Sequence, residues 1–206
     1  MEIESHNSVA VLAFSAADGY PRLTRAVLGE ISALLGSIRR EGLFRGVVIT
    51  SEADSFAAGG DLGEIVELDG LPARDFAQLG QRVFNEIEQF PVPLVAAIRG
   101  YCLGGGLDLA LACHARQATY DASFAHPGAS LGLITGWGGT QRLARLVGKA
   151  AALQMLLTTE RIPATQALSM GLVDELVASQ DLIEAAARRV ERLSVQWVTA
   201  GLSRPW

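Results

Sequence analysis

The chain has 206 residues, half of them hydrophobic and 19% charged, with a formal net charge of −5. That balance describes a globular chain able to bury one substantial core and excludes a disordered one. The negative charge, and the lack of any basic run interleaved with aromatics, argue against nucleic-acid binding, which depends on neutralising phosphates.

Strand-like and helical patterns alternate along the chain and predict an α/β fold. Val9 to Phe14 reads as a strand. From Thr24 to Arg40, Val27, Ile31, Leu34, Leu35 and Ile38 recur at helical spacing, with Thr24 as the cap and Gly42 as the stop. Gly46 to Thr50 reads as a buried strand. A second helix carries Phe76, Leu79, Val83, Ile87 and Phe90 on one face and is halted by Pro91 and Pro93. Leu94 to Ile98 is the next strand, followed by a glycine loop and a helix from about Gly106 to His114. Short strands are predicted at Gln117 to Tyr120 and Asp174 to Val177. Between them fall helices at Thr140 to Leu146, Ala150 to Thr158 and Ala164 to Met170. A last helix, about Asp181 to Trp197, sets Ile183, Ala187, Val190, Leu193 and Trp197 on one stripe.

No membrane span or targeting segment is read. Val9 to Phe14 is too short and follows Glu2 and Glu4 rather than a basic stretch. Cys102 and Cys113 make neither a disulfide framework nor a zinc set, and read as small buried hydrophobes. Three histidines and two scattered cysteines give no metal-ligand cluster, and a reducing cytoplasm is the expected compartment.

Two glycine-bearing loops stand out: Phe56-Ala57-Ala58-Gly59-Gly60-Asp61-Leu62, and Gly100 through Leu103-Gly104-Gly105-Gly106-Leu107-Asp108. Each follows an apolar strand pattern and leads into a helix. Glycine there lets the backbone approach a ligand closely, and the helix N-terminus adds a field favourable to negative charge. Two such loops can aim two N–H donors at one oxygen, as an enolate or tetrahedral oxyanion requires. The bland alternative for Gly104 to Gly106 is a tight strand-to-helix turn. A dinucleotide site fits less well, because Leu109 stands where the last glycine of G-x-G-x-x-G belongs. No G-x-S-x-G elbow supports serine hydrolysis.

These loops resemble the crotonase superfamily, also called the enoyl-CoA hydratase/isomerase family. Its members carry a Phe-x-Ala-Gly-Ala/Gly-Asp-Leu/Ile loop and then a Gly-x-x-x-Gly-Gly-Gly loop opening a helix. Phe124-Ala125-His126-Pro127 through Leu131-Gly132 to Gly138-Gly139-Thr140-Gln141-Arg142-Leu143 matches a third stretch of the family, and Met170-Gly171-Leu172-Val173-Asp174 a fourth. The likeness spans roughly Val9 to Ala178, with the motifs in the family's order. It implies a spiral of strand–strand–helix repeats over residues 1–180. Residues 181–206 would be a C-terminal helix and tail, shortened relative to the family.

The resemblance also implies roles. The Gly60 and Gly105 N–H groups would form the oxyanion hole for an acyl-CoA thioester, and Asp108 falls where hydratases keep the first of two glutamates. The second should follow Pro127, where this chain has Gly128. One-carboxylate chemistry (isomerisation, decarboxylation or thioester hydrolysis) is therefore expected rather than standard hydration. Some 1,4-dihydroxynaphthoyl-CoA synthases of the family also have glycine there, with bicarbonate replacing the carboxylate, so a bound anion near Gly128 is an alternative. A catalytically degenerate binding or assembly subunit is another.

Asp108 could also serve only to favour its helix N-terminus. His126 could be a base, a donor or a structural histidine. Asp61 reads as a loop-fixing carboxylate beside the functional backbone. Ala58, Asp61, Leu103, Gly104 and Trp137 are expected to surround the substrate. Arg22 or Arg25 would stand in for the family's basic residue at the nucleotide end of coenzyme A, since Gly19 to Thr24 does not keep the usual segment. His114, at a helix end, suits a weakly favourable cation. Coenzyme A enters as part of the substrate, with no tightly bound cofactor and neither nucleic acid nor membrane as partner. A homotrimer or dimer of trimers is implied, with an uncovered apolar helix face around Leu193 and Trp197 as its physical motive.

Overall fold

Val9–Phe14, Gly46–Ser51 and Leu94–Ile98 lie side by side as parallel strands β2, β3 and β4 in the computed structural model, which describes residues 3–199. Strands covered on both faces read as unbroken apolar runs, and all but one residue of these three are buried. β1 (Ile3–His6) pairs antiparallel to β2 at one edge. β6 (Ala115–Thr119) and β9 (Glu175–Val177) extend the other edge, giving a six-stranded sheet in the order β1-β2-β3-β4-β6-β9. A small second sheet joins β5 (Tyr101–Leu103), β7 (Ser123–Ala125) and β8 (Ile162–Pro163).

Parallel neighbours need crossovers, and helices supply them. α1 (Arg25–Glu41) connects β2 to β3. Its first turn is capped by Thr24, whose hydroxyl accepts the Val27 N–H, and it stops at Gly42 with φ 64°. α2 (Leu62–Val66) and α3 (Gly70–Glu88) lie between β3 and β4, and α4 (Gly105–Ala112) precedes β6. α5 (Gly139–Val147), α6 (Lys149–Thr158), α7 (Ala164–Ser169) and α8 (Leu182–Thr199) follow. Among the described residues no helix is long and apolar enough to cross a membrane.

The sheet buries different residues on its two faces, as strand alternation requires. Val9, Val11, Val48, Val95, Ala97 and Ala115 meet α8 through Leu182, Ala186, Ala187 and Val190. The opposite face sends Leu12, Ile49, Ala96 and Ile98 into the larger core shared with α1, α3 and α4. One expectation is corrected here. Trp197 is 8% exposed and packs edge-on against the His114 ring at 4.9 Å, while Leu193 is partly buried on the α8 side of the sheet. The stripe expected to be uncovered is occupied by the chain's own core.

Candidate active site

The two glycine loops meet because β5 ties them together. Ala57 donates its N–H to the Tyr101 carbonyl (3.1 Å) and accepts the Leu103 N–H (2.9 Å), while Leu23 donates to the Gly59 carbonyl (2.8 Å). Gly106 can sit there only without a side chain, since a Cβ would lie 2.7 Å from the Ala57 oxygen. Gly104 turns the chain into α4 with φ 50° and ψ −117°, a conformation side chains rarely adopt. The loops end so close that a Cβ on Gly105 would lie 3.3 Å from the Gly60 nitrogen. Among the described residues neither of those N–H groups is given to a backbone acceptor. Gly105 opens its helix, where N–H groups have no helical partner and the dipole favours negative charge.

One turn along α4 stands Asp108, 1% exposed. The Thr135 hydroxyl donates to its Oδ2. Oδ1 lies 3.4 Å from His126 Nε2, and among the described residues neither of these two buried atoms has a hydrogen-bond partner. Gly139 makes room for this arrangement, because a Cβ there would strike Oδ1 at 1.9 Å. Burial raises the Asp108 carboxyl from its ordinary 3.8 to about 7. The Thr135 hydroxyl, the Arg142 charge and the neighbouring N–H groups of Trp137 and Gly139 pull the other way. Burial also lowers the His126 imidazole to about 4. At neutral pH the imidazole is uncharged, and Asp108 is divided between acid and carboxylate.

Trp137 forms a wall beside the paired amides. Its indole is 6% exposed and lies in the gap left by Gly60, Gly80 and Gly105. Phe76 and Phe84 meet it edge-on at 5.3 and 5.7 Å. Its carbonyl accepts Arg142 Nη1 at 3.0 Å, and the same buried guanidinium binds Glu88 (2.6 and 3.0 Å) and Asn85 (2.6 Å). Gly128 holds its backbone tightly: its carbonyl accepts the Leu133 N–H at 2.9 Å, and a Cβ would lie 2.9 Å from the Leu133 oxygen.

These groups open into one cavity of about 830 Å³. Ala58, Gly60, Gly104, Gly105, Asp108, His126 and Trp137 all line it, as does Thr135, which carried no sequence signal. Beyond this polar corner the wall is apolar, with Leu62 and Ile65 from α2, Ala144 from α5, and Ala152, Leu153 and Leu156 from α6. Three expected site residues lie outside the lining. Asp61 caps α2 by accepting the Glu64 N–H (2.8 Å), Leu103 sits in β5, and Arg22 pairs with exposed Asp18 at 2.7 Å. His114 stands at a helix end that would mildly favour a cation, yet it is neutral at physiological pH. Burial lowers it to about 4, its Nδ1 accepts the Leu94 N–H (2.8 Å), and its Nε2 stands 3.2 Å from the Glu88 carbonyl.

The α/β architecture, with two glycine loops converging beside a buried carboxyl, defines a protein of the crotonase fold. The chain belongs to the enoyl-CoA hydratase/isomerase family, whose sequence model it matches over residues 4–200. It is similar to DspI of Pseudomonas aeruginosa, with 33% identity and a TM-score of 0.87 over 94% of this chain and 74% of that one. An enoyl-CoA hydratase of Bacillus anthracis is 33% identical, with a TM-score of 0.88 over 94% of this chain and 76% of its own. An enoyl-CoA hydratase of Thermoplasma volcanium is 26% identical, with a TM-score of 0.89 over 96% and 80%.

Proposed function

We propose that this protein processes an acyl-CoA thioester by forming its enolate. Asp108, as carboxylate, removes a proton from the carbon next to the thioester carbonyl. The C–H electron pair moves into the carbonyl, and the resulting oxyanion accepts hydrogen bonds from the Gly60 and Gly105 amides. In other enzymes one such donor is worth about 3–4 kcal/mol of barrier. The observation that carries this reading is the proximity of those two N–H groups, uncommitted to backbone acceptors, in a cavity that Asp108 also lines.

With no carboxyl at position 128, the reaction is one-carboxylate chemistry, and relocation of a proton along the acyl chain suits it best. A carboxyl that titrates near 7 can both take and return a proton at neutral pH. His126, its ring nitrogen 3.4 Å away, is the second proton-carrying group. Two buried polar atoms without partners among the described residues are costly in a fold and favour an enzyme over a degenerate binding subunit. An anion standing in for the missing glutamate is less favoured, because the Leu133 carbonyl occupies the direction in which a residue 128 side chain would leave the backbone. The apolar α2, α5 and α6 wall suits an aliphatic acyl group.

Assembly as a homotrimer or dimer of trimers belongs to the same proposal. Its physical motive shifts to the cavity rim, where Ile134, Leu157 and Leu153 are exposed. Light scattering at micromolar concentration tests it, and a clean monomer overturns it.

Deuterium exchange tests the chemistry without knowledge of the full reaction. Acyl-CoAs of several lengths are incubated with the protein in D2O, and mass spectrometry reads label gained next to the thioester. Enzyme-dependent labelling that disappears in Asp108→Asn is the expected result. Acyl-CoA binding with no labelling of any substrate overturns the enolate reading.

A further inference from the structure

The Asp108 carboxyl is held by its environment, not by its own stereochemistry. Rotation about the bond to a carboxyl group is broad and roughly two-fold, so an unrestrained Asp108 would present either oxygen to the cavity. The neighbouring α4 positions, Leu107, Leu109 and Ala110, are buried and apolar, and none can hydrogen-bond through its side chain. Among the described residues one side-chain donor engages the carboxyl, the Thr135 hydroxyl on Oδ2, beside the backbone N–H groups of Trp137 and Gly139.

Thr135 lies on the stretch between the 3₁₀ turn Pro127–Leu131 and α5. That stretch is pinned on both sides of it. Leu133 donates to the Gly128 carbonyl (2.9 Å), and the Gln81 amide donates to the Gly136 carbonyl (2.7 Å). A residue later, the Trp137 carbonyl is held by Arg142 (3.0 Å). The hydroxyl is thus delivered by a segment anchored to α3, α5 and the turn that follows His126.

We infer that Thr135 is a positioning residue: by engaging Oδ2 it turns Oδ1 of Asp108 toward His126 and the cavity. The inference rests on the enolate reading for its catalytic consequence, though not for the contact itself. The ionisable groups that act on Asp108 from the elements packed around it are His126, Cys102 and Arg142, the last paired with Glu88. Cys102 is buried with its thiol pushed well up, so it stays neutral. A hydroxyl donated to the carboxylate favours the charged form, so removing it moves the Asp108 titration upward.

The test compares wild type, Thr135→Val and Thr135→Ser in the full chain. The Asp108 carboxyl is titrated by carbon-13 NMR, its signal assigned by its loss in Asp108→Asn, and deuterium exchange into acyl-CoA is measured across pH. Thr135→Val should raise the Asp108 titration by about one pH unit. The ascending, acid-side limb of the exchange rate should move with it, and kcat for exchange should fall about tenfold or more with KM within about twofold. Thr135→Ser should restore both. If Thr135→Val does not fold, Thr135→Ala carries the same comparison.

A valine or alanine variant with an unmoved titration overturns the inference, whatever its rate. So does a slowed variant that serine does not rescue. If wild type exchanges no acyl-CoA at all, the enolate reading fails, and the NMR titration still decides whether Thr135 holds Asp108.

Discussion

Two histidines, His126 buried and His114 half-buried twelve residues earlier, show how differently one fold can use the same side chain. Burial lowers both His114 and His126 to about 4, so both are neutral at physiological pH. Their titration does not tell them apart. His114 has a backbone group at each ring nitrogen, the Leu94 N–H on one side and the Glu88 carbonyl on the other, and Trp197 meets its ring edge-on. It stitches β4 to the end of α3. His126 has a nitrogen without a partner among the described residues, faces a buried carboxyl, and lines a cavity. A lowered histidine pKa reports burial; what remains unsatisfied around the ring reports use.

The largest effect that can break this comparison is on the partner of His126. Asp108→Asn should reduce deuterium exchange by about 10²–10⁴-fold while leaving acyl-CoA binding near wild type, since the general base is lost and the amide pair kept. Retained exchange would make the His126 corner as structural as the His114 one.

The two histidines should then separate in opposite directions. His114→Ala strands the Leu94 N–H and loses the Trp197 contact, so urea unfolding should show a loss of about 2–4 kcal/mol, with exchange per folded molecule unchanged. His126→Gln should cost little stability, lowering exchange by about 10²-fold. Equal stability losses in both variants would sink the distinction.

Acid sharpens it further. A base lowered on folding contributes stability that is present above its unfolded value, 6.5, and is lost as pH falls through the folded value, about 4. Each histidine therefore contributes on the order of 3 kcal/mol to acid lability across that window. Replacing either with glutamine should flatten the fall in stability from pH 6.5 to 4. The exchange rate of wild type should rise with pH through about 7, the Asp108 value, because the base must be ionised. A rate independent of pH across that range would remove Asp108 as the base.

The smallest expected effect concerns Gly128. Gly128→Glu looks from sequence like a way to restore hydration. The Leu133 carbonyl at 2.9 Å from its Cβ predicts instead a stability loss of about 1–3 kcal/mol and no hydration of crotonyl-CoA. Hydration gained without a stability loss would show that the backbone yields there.

Much of the fold is legible in the chain because parallel strands buried on both faces are continuous in sequence. Val9–Phe14 and Leu94–Ile98 form strands over the residues expected, and α1 runs from its Thr24 cap to its Gly42 stop. Ile3–His6 is missed because it contributes one aliphatic residue to an edge strand. Three-residue strands such as Tyr101–Leu103 and the five-residue α2 are shorter than any periodicity can reveal.

The site divides in the same way. Gly60, Gly105 and Asp108 sit in local motifs, so the resemblance of those motifs to the family points to them. Thr135 reaches Asp108 across 27 residues, through a loop whose path only tertiary packing decides. The role of His114 is not legible, because its partners Leu94, Glu88 and Trp197 are brought to it by tertiary packing.

The indole of Trp137 links α3 to the place where charge would develop. Gly80 lies inside a nineteen-residue helix, where alanine would ordinarily be worth up to ~1 kcal/mol more. Yet a Cβ at Gly80 would meet the indole at 2.3 Å, and the far edge of that ring lies against Gly105 and Gly60. A single methyl group on α3 would thus be transmitted through one rigid ring to the Gly60 and Gly105 amides proposed to bind the carbonyl. The helix forgoes its better former and keeps a lever, by which sequence drift remote from the acyl group can retune the geometry around its oxygen.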